Sequence, residues 1–583
     1  MPFYSIEKMR YRILFLIVFV CTFLHTKIHA QGTYIPLNMG SYYLTDRYEV
    51  LSGRIDPAIH SSLKPYNRAY AIQFVDSLPT TMNVSKADSF NINYLKNDSW
   101  EWSNSPNADS KKTFLQHFYK KKADAYSVNI KDFDLHVNPV LYFMGGNAAG
   151  NTQRNYTFMN TRGIELRGRI SKRVGFYTFF ADNQGAFPNY VNDKIDYYTP
   201  SGSAIPVVPY ESFSKTFKTN GYDFITGRGY ITFELVKKYI DVQFGYDKNF
   251  IGDGYRSLIL SDVGAPYTFM KLNTHIWKFQ YQNIFAQMNA TTNGVNVVYP
   301  KKYSTFHHLS LNVGKNFNIG VFESIIFGRG DSTKQGTFDV SYLNPVIFYR
   351  SIEQANGSGD NSLLGLNFKY NFLKHFSLYG QLVIDELKFQ EVKNHSGWWG
   401  NKQAFQLGLK YFNALGIKNL DLQAEANVVR PYVYQHASNY TSYTHYDQPL
   451  ADPMGANFTE FIGIIRYQPV SKLMLQSKAF YTILGDDSTT TTNTAKSNNG
   501  GNIFKSYTPI ANANTYNNKI GQGIHTNILF ISLQATYQLR HNLFVDLTYI
   551  YRKQTSELAS KNLLTNYVSC GIRLNIQPRN YEF

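Results

Sequence analysis

From residue 134 onward the chain repeats one pattern, an apolar and a polar residue in strict alternation. Leu420, Leu422, Ala424, Ala426 and Val428 alternate with Asp421, Gln423, Glu425 and Asn427. Ile240, Val242, Phe244 and Tyr246 alternate with Asp241, Gln243, Gly245 and Asp247, and Leu543, Val545, Leu547, Tyr549 and Tyr551 with Asp546, Thr548 and Arg552. A period of two puts successive side chains on opposite faces of a strand and has no use in a helix. Eighteen such segments can be drawn, near 134–144, 156–170, 174–182, 222–235, 239–247, 267–276, 277–288, 304–313, 317–327, 361–370, 375–386, 403–412, 418–429, 457–468, 471–483, 523–538, 543–552 and 565–576. Most are close to the ~9–11 residues with which a tilted strand crosses a bilayer.

The connections sharpen this reading. After even strands they are short, as at Ser171-Lys172-Arg173, Val236-Lys237-Lys238, Gly314-Lys315-Asn316 and Pro469-Val470. After odd strands they are mostly long, as at 183–221, 248–266, 328–360, 430–456 and 484–522. Short periplasmic turns and long extracellular loops distinguish outer-membrane barrels, whereas a sandwich or propeller has no reason for such asymmetry. The expected fold is therefore all-β, a transmembrane antiparallel β-barrel of about eighteen strands with a small N-terminal periplasmic helical region. An even strand number returns both barrel ends to the periplasm.

Composition agrees. Aromatic residues make up 16% and charged residues 17%, the latter against about 25% in an ordinary soluble domain. A lipid-facing wall with aromatic girdles explains both figures. The last segment continues the pattern: Val568, Cys570, Ile572, Leu574 and Ile576 are assigned to the lipid face, and Tyr567, Ser569, Arg573 and Asn575 to the lumen. The terminal Phe583 resembles the aromatic assembly signal of outer-membrane barrels.

The N-terminus reads as a secretory signal. Lys8, Arg10 and Arg12 precede an apolar run from Ile13 to Leu24, with a small residue, Ala30, at the expected cut. The run is too short to span a bilayer as a helix. Bulky Val18, Phe19 and Val20 before Cys21 argue against a lipoprotein anchor, and Cys570 then has no intrachain partner. The expected division is 1–30 signal peptide, 31–133 periplasmic helical and irregular region, and 134–583 outer-membrane β-barrel. Within 31–133, helices are expected from Thr45 to Leu51, after Asp56-Pro57, after Asn67 with Ala71, Phe74, Val75 and Leu78 on one face, and from Ser85 to Lys96. Lys120-Lys121-Lys122 reads as a solvated turn.

Catalytic chemistry is sparse. No G-x-S-x-G, H-E-x-x-H or C-x-x-C motif occurs, so no catalytic residue, cofactor or metal is assigned and the chain is not expected to be an enzyme. His307 and His308, adjacent on a strand, point to opposite faces and read as wall or rim residues. Asp360-Asn361 and Asp486-Asp487 read as solvated loop residues in preference to calcium ligands, and Arg329-Gly330-Asp331 as turn chemistry. The +17 net charge is dispersed, which argues against nucleic acid as a partner. It suits instead an anionic membrane surface or an acidic polysaccharide.

Two loop features carry side chains suited to sugar. Asp247, Lys248, Asn249, Asp253, Tyr255 and Arg256 form a polar, Gly-rich connection whose alternative role is to pack the lumen, and Trp398 and Trp399 form a loop tip that can stack on glycans or anchor at the lipid interface. Lumen residues Arg167, Arg228, Lys478 and Arg573 extend the candidate polar surface.

The stretch from Phe244 through Asp247-Lys248-Asn249-Phe250-Ile251-Gly252-Asp253-Gly254-Tyr255-Arg256-Ser257-Leu258 to Lys271-Leu272, the segment Trp277 to Ala286, and the Arg579 to Phe583 ending resemble the Wzi-like capsule-assembly family. Within it they are most similar to the Bacteroidetes branch called gliding motility protein RemB. The resemblance implies an eighteen-stranded outer-membrane barrel of a Gram-negative bacterium, a periplasmic helical bundle, and non-enzymatic binding of capsular or other surface polysaccharide, with gliding as the context in RemB-type members. Loops 183–221 and 484–522 match no family motif. The expected partners are outer-membrane lipid, surface polysaccharide and, on the periplasmic helices, motility or secretion machinery. Two other functions stay open: a porin-like uptake channel, and a lipid-acting barrel enzyme, for which no nucleophile and base are found on the outer wall.

Overall fold

A computed structural model describes residues 32–583 except 38, 79–83, 104–106, 112, 151–154, 201–202, 291–299, 329–336, 346–347, 358, 488–497 and 509–514. The signal segment, Cys21, the Arg329-Gly330-Asp331 tripeptide and most of the Thr- and Asn-rich stretch after Asp487 lie outside the described residues.

Eighteen antiparallel strands form the wall: β1 Phe133–Ala149, β2 Tyr156–Ile170, β3 Val174–Ala186, β4 Gly221–Val236, β5 Ile240–Asp247, β6 Tyr267–Ile276, β7 Phe279–Asn289, β8 Lys301–Val313, β9 Phe317–Phe327, β10 Asn361–Phe372, β11 Phe376–Glu386, β12 Lys402–Tyr411, β13 Leu420–Val429, β14 Phe458–Val470, β15 Leu473–Asp486, β16 Ile524–Arg540, β17 Leu543–Ser556 and β18 Leu563–Leu574. Each pairs with its chain neighbour, and β18 closes on β1 from Leu574↔Leu141 to Asn566↔Ala149. The alternation sorts the faces as expected. Ile225, Phe244, Phe405, Leu407, Phe461, Leu533 and Leu547 are exposed on the outside, an apolar surface suited to lipid. Arg167, Lys478 and Arg573 are buried inside.

The end with short turns is filled by helices α1 Gly40–Ser52, α2 Arg68–Ser77 and α3 Lys86–Asp98. Asn67 caps α2 by accepting from Ala69 N, and Ser85 with Asp88 forms a capping box on α3. Ala71, Phe74, Val75 and Leu78 enter a core with Tyr48, Ile92 and the wall residue Phe412. Two local expectations are corrected. Helix α1 begins at Gly40, five residues before Thr45, after an N-cap, Met39, that supplies no side-chain hydrogen bond. Asp56-Pro57 forms a turn instead of a helix, Asp56 Oδ1 accepting from Ala58 N at 2.8 Å.

Docking of the helices is polar. Arg47 donates to Asp421 at 2.6 Å, Asn413 at 2.9 Å and Asn419 at 3.0 Å, and meets Asp88 at 3.3 Å. Lys369 and Lys410 reach down from the wall to Asp46 at 2.7 and 2.6 Å. Burial opposes the Asp46 charge, but the two ammonium groups overcome it and hold the carboxyl well below the usual range. Asn91 and Gln468 exchange amide hydrogen bonds, and Tyr94 donates to Asn542 at 2.6 Å.

The largest hydrophobic core lies inside the barrel. Leu258, Ile259 and Leu260 from the β5–β6 connection, Tyr434 and Tyr443 from the β13–β14 connection, and Tyr190, Val191 and Ile195 from the β3–β4 connection pack together in the lumen. Strands β5 and β6 are among the shortest, and their connection falls inward until Phe250–Ile251 pairs with Leu63–Lys64 of the N-terminal region. The chain end joins this core. After Leu574 the backbone reverses at Asn575, φ 55°, so Ile576 packs inward and not toward lipid. Phe583 is likewise buried among lumen residues and does not terminate a lipid-facing strand.

Candidate ligand vestibule above a lumen plug

Arg256 is the hub of the plug. Its Nε and Nη2 donate to Glu460 at 3.2 and 3.1 Å, and Nη2 also to Glu582 O at 2.5 Å. Glu425 accepts from Tyr255 N at 2.6 Å, Arg256 N at 3.0 Å and Tyr379 Oη at 2.8 Å. The tail residue Glu582 accepts from Lys478 at 2.7 Å and from the Tyr255 hydroxyl. Burial opposes the Arg256 charge, but Glu460 and Asp452 outweigh it and hold the guanidinium well above its ordinary value. Asp452 is pushed from 3.8 up to about 7 by burial and by the neighbouring Glu460.

The other residues of this connection are equally committed. Asp247 accepts from Lys248 N at 2.8 Å and faces Arg228 at 3.8 Å. Lys248 Nζ donates to Tyr210 O at 2.6 Å and Asp262 O at 3.1 Å, and burial, then Arg228, pull it down to about 8. Asn249 accepts from Lys271 at 3.0 Å, and Asp253 from Ser61 at 2.7 Å. These six residues are gathered, but inside the barrel, bonded to one another and to the wall. That placement is the lumen-packing arrangement, one of the two the sequence offered. Trp398 and Trp399 are not a free tip either. Both are half-buried, Trp399 packing against Tyr432 and Tyr507 at ring separations of 6.1 and 4.9 Å.

The remaining expected positions fall as follows. Arg167 pairs with Glu101 and donates to Asp98 O at 3.0 Å, joining wall to helical region, and Arg573 pairs with Asp546 at 2.6 Å. His308 faces inward to Asn367 at 2.7 Å; His307 faces outward, where Tyr281 meets it at 2.8 Å and the Tyr349 ring packs edge-on against it at 4.4 Å. Asp360 accepts from Tyr342, Asp486 pairs with Lys561 at 2.9 Å and Asp487 with Lys505 at 3.3 Å.

Two cavities flank the plug. A chamber of about 560 Å³ lies between the plug and the helices, touching Lys248, Asp253, Tyr255, Arg256 and Glu582. A vestibule of about 1810 Å³ opens at the end with long loops. Its floor is helix α4 Asn189–Tyr198. Tyr190, Val191, Ile195 and Tyr198 bury one face of α4 in the lumen, while Asp193, Asp196 and Tyr197 stand exposed. Arg552 and Gln554 of β17, Asp486, Asp487 and Asn502–Lys505 of the β15–β16 connection, and Lys561 and Asn562 complete the wall. Flat rings beside amides and charged side chains are the chemistry of a saccharide site, rings for apolar sugar faces and polar groups for hydroxyls. None of the expected site residues lies here. The spacing of Tyr190, Val191, Ile195 and Tyr198 is the signal that marks the helix.

No known family model matches the chain, and no curated protein matches it. Among solved structures it is similar to Escherichia coli Wzi, an outer-membrane protein involved in group 1 capsule assembly and a carbohydrate-binding β-barrel, with a TM-score of 0.55 and 13% identity over 94% of this chain and 100% of that one. The chain shares the Wzi barrel fold. More remote likenesses are to Pseudomonas aeruginosa OprD, TM-score 0.40 and 10% identity over 75% of this chain and 94% of that one, and to a BenF-like porin from Pseudomonas fluorescens, TM-score 0.40 and 8% identity over 77% and 100%.

Proposed function

We propose that this chain is an outer-membrane barrel that binds and organises cell-surface polysaccharide without catalysing its chemistry. The short-turn end and its helices would face the periplasm and the vestibule the outside. The observation that carries this reading is the vestibule, an aromatic and polar bowl open at the long-loop end above a lumen packed with hydrophobic side chains. A bowl above a filled channel suits retention of a polymer better than passage of a solute. The carbohydrate-binding Wzi barrel supports the same reading through its fold. Capsule attachment and gliding are the two contexts the sequence resemblance suggests, and the periplasmic helices offer a docking face for motility or secretion machinery.

The test is binding of purified surface polysaccharide to the detergent-solubilised barrel, with Tyr197→Ala in the vestibule as comparison. Binding that weakens at least fivefold in the variant is expected. The porin alternative predicts steady single-channel current instead. A deletion strain that keeps normal capsule retention and normal spreading would remove the proposal.

A further inference from the structure

The outer wall carries a polar row at the middle of three neighbouring strands. Asn283 is the fifth of eleven residues in β7, His307 the seventh of thirteen in β8 and Glu323 the seventh of eleven in β9. His307 lies directly between the other two, paired with Asn283 on one side and Glu323 on the other. Their chain neighbours Ile284, Phe306 and Phe322 enter the lumen core, so the row itself points outward. Eleven residues tilted by about 40° rise roughly 28 Å, little more than the ~25 Å apolar band of a barrel wall. The row therefore sits at the depth of the hydrocarbon, where an ionisable side chain facing lipid is costly.

Lipid does not reach it: Asn283 is 2%, His307 0% and Glu323 1% exposed. The β9–β10 connection turns back down the outside of the wall, where Tyr342 and Tyr349 pack against Ile325 and Phe327. Glu323 accepts from Phe348 N at 2.5 Å and from Arg350 N at 3.4 Å. Thr305 donates to Tyr342 O at 3.3 Å, and Tyr281 to Pro345 O at 2.6 Å. Irregular backbone at bilayer depth is tolerated only where its polar groups find partners within the protein. Here the wall supplies them, so two anomalies account for each other: polar residues on a lipid face, and a loop lying over them.

The far side of this segment is apolar. Val340, Leu343 and Phe348 are 71%, 40% and 68% exposed, and the uncovered wall below continues with exposed Val321 of β9 and Val313 of β8. We infer that residues 338–345 and 348–353 form an intramembrane overlay, in which Val340, Leu343 and Phe348 meet the acyl chains of the outer leaflet. Glu323, Thr305 and Tyr281 hold its backbone to the wall. The exposed Arg350 has a stem long enough to carry its charge toward the headgroups. The inference rests on the placement of the barrel in an outer membrane and is independent of glycan binding.

The experiment places a nitroxide on one cysteine at a time in the whole barrel, reconstituted in phosphatidylcholine vesicles. Cys570, exposed on the outward face of β18, is the lipid reference. Ser560→Cys, in the exposed β17–β18 loop, is the water reference and, like the test variants, carries Cys570→Ser. Collisions with oxygen, which concentrates in hydrocarbon, are compared with collisions with a water-soluble nickel chelate. The oxygen-to-nickel ratio at Val340→Cys and Phe348→Cys is expected to match Cys570 within twofold and to exceed Ser560→Cys at least tenfold. A ratio like that of Ser560→Cys puts the segment above the bilayer and overturns the inference. Shielding from both reagents means that a second copy covers the segment, and overturns it equally. A water-like ratio at Cys570 itself overturns the membrane placement, and the inference with it. Glu323→Leu should free the segment, raising nickel collisions at Phe348→Cys at least fivefold; an unchanged label overturns the holding role of Glu323. Val340→Cys takes the place of Phe348→Cys in this arm should the latter fail to fold.

Discussion

The plug makes a quantitative prediction at Arg256. Arg256→Met keeps an unbranched side chain of similar reach but removes two hydrogen bonds to Glu460 and one to Glu582 O. Glu460 is 1% exposed and Asp452 1% exposed, so both carboxylates stay in the lumen without their cation. Breaking a buried pair from one side costs about 3–5 kcal/mol, most of it the stranded charge. Neutralising the acid as well, in Arg256→Met with Glu460→Gln, should return about half of that, because a glutamine at 460 can still accept from Asn427, which lies 3.3 Å from Glu460. Reversible urea unfolding of the barrel in detergent micelles measures all three forms, and the double-mutant cycle isolates the pair. A loss below about 1 kcal/mol for Arg256→Met, or a double variant no more stable than the single one, refutes the claim that this ion pair holds the plug.

Other consequences can be checked alongside. Asp452, raised from 3.8 to about 7, binds more protons folded than unfolded between about pH 4 and 7, so stability falls as pH rises through that window, by on the order of 3 kcal/mol; Asp452→Asn should flatten the profile in urea titrations at stepped pH. Arg47→Met strands Asp421 and Asp88 beneath the helices and should raise hydrogen exchange across 40–98 while leaving exchange in the wall strands unchanged. Asn67→Ala removes the cap of α2 and should cost about 1 kcal/mol in the same unfolding assay.

The wall was legible because one physical rule decides every residue of it: a strand between lipid and lumen must alternate. That rule located all eighteen strands and put Arg167, Lys478 and Arg573 inside. It is silent about what fills the lumen. The connection 248–266 has irregular backbone, with no period to read, and its Leu258-Ile259-Leu260 run looks in sequence like any apolar loop patch. Its polar residues advertised a ligand site, yet their partners, Glu425, Glu460 and Glu582, come from distant parts of the chain and become visible only when the barrel closes. The packing of Trp399 is hidden for the same reason, since Tyr432 and Tyr507, which it meets, lie on other loops. Phe583 shows the limit most sharply: a single φ of 55° at Asn575 turns an apparent strand terminus into a lumen residue.

That reversal also bears on the order in which the molecule can be completed. Glu582 meets Arg256 and Tyr255 across more than three hundred residues, and Tyr190 donates to Tyr581 O across nearly four hundred. Contacts of such separation form late, after local hairpins have brought their ends together. Until β18 has paired with β1, the tail has no enclosed lumen to enter, so Lys478, Arg256 and Arg552 wait for partners that arrive last. The barrel would thus close before residues 575–583 are seated, and the tail would enter a lumen that the inward-folded loops already line.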